Sequence, residues 1–368
     1  MFHLNLRKKT RSDIMEEQID DVRINQVTEV ITPHQLMHEA PLDPNIIQSV
    51  FDSRERISKI LHKKDDRLLI IIGPCSIHDP EAAMDYADKL QQVSNQYEGE
   101  LEIVMRVYFE KPRTTIGWKG YINDPDLDGS NNIDKGLRLA RQLLVDVSKL
   151  GLPAATEFLD PITPQYIGDL ISWGAIGART TESQIHRQLA SGLSAPIGFK
   201  NGTDGSIQIA IDAIKSAMNP HMFLSVTKDG KSAIVSTTGN RDCHVIHRGG
   251  NLGENFSSQH INRSRELLEA SGIDTGIMVD LSHANSDKDF KKQAFAASSV
   301  CQQLSSIDND LVGVMIESNL VEGRQNLSDK LVYGQSVTDA CLGWDSSLDI
   351  LDQLSHAVKT RRLSQSSE

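Results

Sequence analysis

The chain has 368 residues, 39% of them hydrophobic, with 38 Lys and Arg against 50 Asp and Glu for a formal net charge of −12. That length allows two or three domains or one large α/β barrel with additions; the composition excludes disorder along most of the chain, and the acidic balance excludes a nucleic-acid-binding face. No apolar run reaches the roughly 18 residues of a membrane span, and four scattered cysteines, Cys75, Cys243, Cys301 and Cys341, make no disulfide framework, which points to a reducing, cytoplasmic setting.

Met1 to Ser12 is polar and basic, with Arg7, Lys8, Lys9 and Arg11 and no apolar h-region, so no secretory signal is expected. An acidic patch follows at Glu16, Glu17, Asp20 and Asp21, and weak helical periodicity begins near Thr32. Residues 1–65 read as an N-terminal extension, either a tail or a segment that packs on a partner subunit. From residue 66 to 368 the pattern changes. Short apolar runs stand at Leu68–Ile72, Glu102–Val107, Pro153–Thr156, Ala175–Ala178, Pro196–Phe199, His244–His247, Gly276–Val279 and Val312–Ile316. Segments of helical length separate most of them: Pro80–Val93, Ile133–Leu150, Thr163–Ser172, Glu182–Ser191, Ser206–Ala217 and Asp287–Leu304, with a last helix near Ser346–Arg361.

Continuous apolar strands alternating with helices indicate a parallel sheet buried on both faces. Eight such units predict an α/β fold of the (β/α)8 TIM-barrel type. The pair Phe223–Val226 and Ala233–Ser236 around Asp229-Gly230 predicts a β-hairpin inserted between the fifth and sixth units.

In such a barrel, function gathers at the C-terminal ends of the strands. Those ends carry Cys75 after the first run, Arg106 and then Lys111 and Arg113 after the second, and Glu157, Arg179, Lys200 and Arg248 after the next four. The seventh gives Asp280 and His283, and the eighth Glu317. Arg106, Lys111, Arg113, Arg179, Lys200 and Arg248 would converge at one mouth, and cations gathered in an acidic protein need anionic ligands to balance them. Arg forks match phosphate and carboxylate oxygens. Six cations exceed what one monophosphate requires and suit two substrates, or one that bears both phosphate and carboxylate. Cys75, His283 and Glu317, with Asp339 in the loop after the eighth strand, form a mixed soft and hard donor set. That set suits one divalent Mn, Fe, Co or Zn better than Mg or Ca, although four distant residues carry no local spacing signature.

No Gly-x-Gly-x-x-Gly or Walker-type loop is present, which disfavours nucleotides. Gly198 to Gly205 reads equally as a phosphate nest or as a tight turn. Lys200 at a strand end keeps open a Schiff-base aldolase, and a barrel retained as a ligand sensor would be marked by missing donors, none of which is missing.

Five stretches carry a resemblance to a known family: Gly73-Pro74-Cys75-Ser76-Ile77-His78-Asp79, Met105 to Thr115 with its Lys-Pro-Arg-Thr-Thr, Gly177-Ala178-Arg179-Thr180-Thr181-Glu182-Ser183, Gly198 to Gly205, and Ser282-His283-Ala284-Asn285-Ser286. Together they resemble the class I, microbial type of 3-deoxy-D-arabino-heptulosonate 7-phosphate (DAHP) synthase, over about residues 25 to 361. The resemblance implies a (β/α)8 barrel with an N-terminal extension and an inserted hairpin. It also implies metal-dependent condensation of phosphoenolpyruvate with erythrose 4-phosphate, the first step of the shikimate pathway. Cys75, His283, Glu317 and Asp339 would hold the metal. Arg106, Lys111, Arg179, Lys200 and Arg248, with Glu157 nearby, would hold phosphoenolpyruvate, and Arg113 and Thr114 the phosphate of erythrose 4-phosphate. Lys111, placed to protonate a developing alkoxide, and His283 on the metal would be the catalytic residues. A related synthase acting on arabinose 5-phosphate or an amino sugar would share the pyruvyl site, but Lys-Pro-Arg-Thr-Thr favours the four-carbon aldose.

Feedback by an aromatic amino acid is also implied, in a region with Pro161, Gln165, Leu193 and Ser194, where Pro161 leans towards tyrosine. So is a homodimer or homotetramer. The chain departs from the family pattern at His247, where Leu or Met is usual, in the segment 251–256, and at Arg324.

Overall fold

The computed structural model describes residues 19–113, 115–306, 310–328 and 330–365. The basic tip, Glu16, Glu17 and Thr114 therefore lie outside the described residues. The contacts divide the chain into two units, residues 1–31 and 32–368. Residues 19–31 contain no helix or strand.

The second unit opens with two capped helices. Thr32 and Gln35 form a reciprocal capping box on α1 (Pro33–Glu39), and the Asp43 carboxylate accepts from the Asn45 and Ile46 amides to start α2 (Pro44–Leu61). Each has Pro in its first turn, where no amide is needed. The barrel follows: β1 (Leu68–Gly73), α3 (Pro80–Tyr97), β2 (Leu101–Arg106), α4 (Ile133–Lys149), β3 (Ala154–Glu157), α5 (Pro164–Ile167), β4 (Ile171–Ile176), α6 (Gln184–Gly192), β5 (Ile197–Lys200) and α7 (Ile207–Ala217). The hairpin β6 (Met222–Val226) and β7 (Ser232–Ser236) interrupts the alternation. Then come β8 (Cys243–His247), α8 (Ser258–Ala270), β9 (Ile277–Asp280), α9 (Gln293–Leu304), β10 (Leu311–Glu317), a small pair β11 (Val321–Arg324) and β12 (Gln335–Ser336), and α10 (Trp344–Gln365).

Eight parallel strands close in the order β1-β10-β9-β8-β5-β4-β3-β2, so the fold is a (β/α)8 barrel with the hairpin between its fifth and sixth strands, as the pattern predicts. Every residue of these eight strands is buried. That explains the continuous apolar runs, since a parallel strand has helices on one face and the barrel interior on the other. Leu69, Ile71, Val104, Ala155, Trp173, Ala175, Ile246, Met278 and Met315 form one cluster with Ile57, Ile60 and Leu61 of α2. Helix α2 is bound to the strand beginnings: the Gly276 amide donates to the Leu61 carbonyl at 2.8 Å, and Arg54 Nε donates to that of Ile171 at 2.9 Å. Packing and hydrogen bonding thus close the N-terminal end and leave the other end open for chemistry.

The structure corrects three elements and adds one. The fourth strand covers Ile171–Ile176 rather than Ala175–Ala178, and the expected helix Thr163–Ser172 ends after one turn plus a 3-10 turn at Gly168–Leu170. Trp173 decides this, because its fully buried ring fills the barrel cluster. A polar-rich helix, α8, stands where the apolar periodicity predicts none. Residues 290–292 form a 3-10 turn, so α9 starts only at Gln293.

Candidate active site

The site starts with backbone geometry. Gly73 ends β1 at φ +153, and a Cβ there would lie 2.8 Å from the Arg106 carbonyl oxygen, so only glycine lets β1 turn over the end of β2. The turn delivers Pro74 and Cys75 onto Arg106. The guanidinium of Arg106 is fully buried, donating from Nε to the Pro74 carbonyl (3.0 Å) and from Nη2 to the Cys75 carbonyl and to Glu317 Oε1 (both 3.1 Å). It also lies over the Tyr108 ring at 3.6 Å. Burying such a charge requires full pairing, and two carbonyls with a carboxylate supply it.

Cys75, Glu317 and Asp339 offer donor atoms that all lie within 4.8 Å of one another. The Cys75 thiol donates to Asp339 Oδ2 at 3.5 Å, and Lys111 Nζ donates to Cys75 Sγ at 3.0 Å and stands 4.0 Å from Asp339 Oδ2. Burial, then Glu317, pushes the Cys75 thiol up to about 11, against the pull of Lys111 and Arg106. Burial also pushes the Asp339 carboxyl up, but Lys111 and His283 prevail and hold it near 2. Lys111 is raised despite its burial, because Cys75, Asp339 and Glu317 surround it. Gln293 brackets the end of β10: its Oε1 accepts the Glu317 amide and its Nε2 donates to the Glu317 carbonyl, each at 3.0 Å.

His283 has φ +58, an uncommon backbone state for a non-glycine residue that often marks function. Its Nδ1 lies 2.8 Å from Asp280 Oδ2, which turns Nε2 towards Glu317 Oε1 at 3.9 Å. The same Asp280 oxygen accepts from Lys200 Nζ at 3.1 Å. Against the cost of burial, His283 and Lys200 hold the Asp280 carboxyl well below its usual range. A carboxylate bonded to one ring nitrogen of a histidine sets its tautomer and the direction of the other nitrogen, although His283 lies outside the close group of Cys75, Glu317 and Asp339. Asp280 is the principal residue that the donor-set reasoning left without a role. Its signal was present, a charged strand end three residues before a histidine.

Arg248 is partly buried beside Asp280 and Arg179, and burial lowers its pKa. Glu157 backs the turn before Arg179, with its Oε1 2.3 Å from where a Gly177 Cβ would lie. Arg113 is exposed, with Nε donating to the Trp118 carbonyl at 2.7 Å. The six cations thus fall into two groups. Arg106, Lys111 and Lys200 have acidic partners within the protein, while among the described residues Arg113, Arg179 and Arg248 form no ion pair.

Comparison with known proteins gives this geometry a lineage. The model of the DAHP synthetase I family matches residues 38–352. The chain belongs to that family. Family members similar to it include the Phe-sensitive phospho-2-dehydro-3-deoxyheptonate aldolase of Escherichia coli, 57% identical over 95% of this chain and 100% of that one. The Trp-sensitive form of the same organism is 51% identical over 93% and 99%, and the tyrosine-inhibited form of Schizosaccharomyces pombe 48% identical over 96% of each. Among solved structures, the phospho-2-dehydro-3-deoxyheptonate aldolase of Francisella tularensis SCHU S4 superposes with a TM-score of 0.91 at 53% identity, covering 92% of this chain and 99% of that one. The named relatives are thus DAHP synthases, and those of Escherichia coli and Schizosaccharomyces pombe are named for sensitivity to, or inhibition by, phenylalanine, tryptophan or tyrosine.

A cavity of about 640 Å³ lies outside the barrel mouth, between α2, α5, the end of α6 and the hairpin. Gln165, Leu193 and Ser194 line it, with Phe51, Arg54 and Lys228 among its other walls. Pro161 does not line it; it stands on the exposed turn before α5.

Proposed function

We propose that the chain condenses phosphoenolpyruvate with erythrose 4-phosphate and water to give DAHP and phosphate, with one divalent metal and under feedback by an aromatic amino acid. The observation that carries this reading is the convergence of the Cys75, Glu317 and Asp339 donors with Lys111, Arg106 and Asp280-bound Lys200 at one barrel mouth. The donor set fits a borderline first-row ion such as Mn, Fe, Co or Zn, held by Cys75, Glu317 and Asp339 with His283 as fourth ligand. Bound there, the ion supplies Lewis acidity to the aldehyde oxygen of the aldose.

The protein's own groups do the rest. Arg106, Lys111, Arg179, Lys200 and Arg248, with Glu157 behind the Arg179 turn, hold phosphoenolpyruvate by its phosphate and carboxylate. Arg113, with Thr114, receives the phosphate of erythrose 4-phosphate. So held, the C2–C3 π pair of the enol phosphate forms the bond from C3 to the aldehyde carbon, which leaves C2 electron-poor, and the electron pair of the carbonyl bond becomes an alkoxide. Lys111, charged and 3.0 Å from a metal donor atom, passes its Nζ proton to that alkoxide. Water adds to C2 and returns one proton to Lys111; the remaining hydroxyl proton goes to the phosphate as its C–O bond breaks and C2 becomes the ketone.

The 640 Å³ cavity, with apolar walls beside Arg54, Asp169 and Lys228, suits an amino acid that brings a ring and both charges. The inclination towards tyrosine rests on Pro161, outside those walls. The outer face of the hairpin exposes Met222, Leu224 and Ile234 at 69%, 84% and 70%, which supports association with a second copy into a dimer or tetramer. Four free cysteines support a cytoplasmic setting, and no helix among the described residues is long and apolar enough to cross a membrane.

Phosphate release tests the reading, measured with phosphoenolpyruvate and either erythrose 4-phosphate or arabinose 5-phosphate, before and after chelation. Turnover with the four-carbon aldose, lost on chelation and restored by added Mn or Co, is expected. Preference for arabinose 5-phosphate would overturn the substrate assignment. Chelator-resistant activity trapped by borohydride on Lys200 would establish the Schiff-base alternative.

A further inference from the structure

Cys75 and Asp339 reach the barrel mouth from opposite ends of the chain, Cys75 just after β1 and Asp339 in the loop that follows β10 and β12. Packing alone does not hold them together. Cys75 is fully buried, but the Asp339 side chain is 54% exposed. Each has a hydroxyl-bearing neighbour in the chain: Ser76 follows Cys75, and Thr338 precedes Asp339. Ser76 Oγ and Thr338 Oγ1 lie 2.7 Å apart, and both residues are buried.

Both ends of this hydrogen bond are anchored. The Ile77 amide donates to the Tyr108 carbonyl at 2.8 Å, which holds the Ser76 turn against the chain leaving β2. On the other side the Thr338 amide donates to Ser336 Oγ at 3.1 Å, and the carbonyl of the fully buried Ser336 accepts the Gln325 amide at 2.8 Å. A thiol bond from Cys341 to the Asp339 carbonyl, at 3.6 Å, shapes the rest of the turn. A hydrogen bond has a preferred length and direction, whereas an apolar contact of the same volume has neither.

We infer that Ser76 and Thr338 are positioning residues, whose hydroxyl bond sets the distance between the Cys75 thiolate and the Asp339 carboxylate. That distance fixes the affinity for a divalent ion at the site proposed above, on which the inference rests.

The full chain, freed of metal by chelation and titrated with Co(II), tests this. The thiolate-to-Co charge-transfer band reports ligation by Cys75, and the visible bands report the geometry of the donor set. Thr338→Val keeps the side-chain shape and should weaken Co(II) affinity roughly tenfold, with altered visible bands. Thr338→Ser should retain native affinity. Thr338→Val also strands the buried Ser76 hydroxyl, so stability falls. Combining it with Ser76→Ala removes both partners, which is nearly neutral for a buried pair. The double variant should therefore regain its urea midpoint while Co(II) affinity stays weakened, a combination that a merely structural pair would not give. If Thr338→Val fails to fold, the double variant carries the comparison. Native affinity in the double variant, or equal weakening in Thr338→Ser, would overturn the inference. Native protein that binds Co(II) without the charge-transfer band would overturn the metal reading itself, and the inference with it.

Discussion

Replacing Asp280 by Asn preserves side-chain shape and removes a charge at the one point where two functional groups are tied together. The native Oδ2 serves Lys200 Nζ at 3.1 Å and His283 Nδ1 at 2.8 Å, while Oδ1 accepts the Ser282 amide at 3.0 Å and its hydroxyl at 2.6 Å. Asp280 is fully buried and Lys200 is 3% exposed. The substitution therefore strands an ammonium in the protein interior, and removing one partner of such a pair costs about 3–5 kcal/mol. Turned to keep Ser282, the amide sets its NH2 group against Lys200 and His283; turned the other way its oxygen reaches both of them but its NH2 group meets the Ser282 amide, and in either orientation His283 no longer faces a carboxylate. His283 consequently loses the partner that sets its tautomer, for which loss of about 10–100-fold in metal affinity or activity is typical. Denaturant unfolding, titration with Mn or Zn, and turnover read the three effects separately. Lower stability, weaker metal binding and slower turnover are all expected in Asp280→Asn. Metal affinity and turnover equal to those of the native protein would refute the assignment of Asp280 as the residue that positions His283, even if stability fell.

Lys111→Met should retain the fold and lose roughly 10²–10⁴-fold in turnover, the range for a missing general acid; near-native turnover would remove Lys111 from that role. His62 tests the closed end of the barrel: its hydrogen bond to Asp242 at 3.0 Å, aided by Asp274 and opposed by burial, raises its pKa. A raised histidine contributes stability in full below its unfolded value of about 6.5 and loses it as pH rises through the folded value. The urea midpoint of the native protein should therefore fall across that window more steeply than that of His62→Gln, and equal slopes would refute the linkage. Val235→Phe fills part of the cavity beside α5 and should raise the aromatic amino acid concentration needed for half inhibition by roughly tenfold, the equivalent of one lost apolar contact. Inhibition curves that superpose on those of the native protein would place the effector elsewhere.

Much of the barrel was legible because a parallel strand buried on both faces is written as an unbroken apolar run, as in Leu68–Ile72 and Val312–Ile316. The fourth strand was harder. Ile171-Ser172-Trp173-Gly174 mixes small and bulky residues, and only the interior space around Trp173 decides that this segment, and not the one after it, lies in the sheet. Helix α8 went unread because its exposed face is long and polar, with three fully buried-side positions at Ile261, Ser264 and Leu268.

The candidate site divides in the same way. The residue types at the strand ends, a thiol, an imidazole, carboxylates and basic side chains, are local facts of the chain, and with the motifs around them they determine family and chemical class. Distances are not local. That Arg106 is neutralised by Glu317 and that Asp280 serves both Lys200 and His283 depend on which strands become neighbours when the barrel closes. Pairing and burial are properties of space shared by residues far apart in sequence. The sequence by itself therefore determined which chemical groups stand at the mouth, and the tertiary structure alone decided which of them are already partnered and which remain for a ligand.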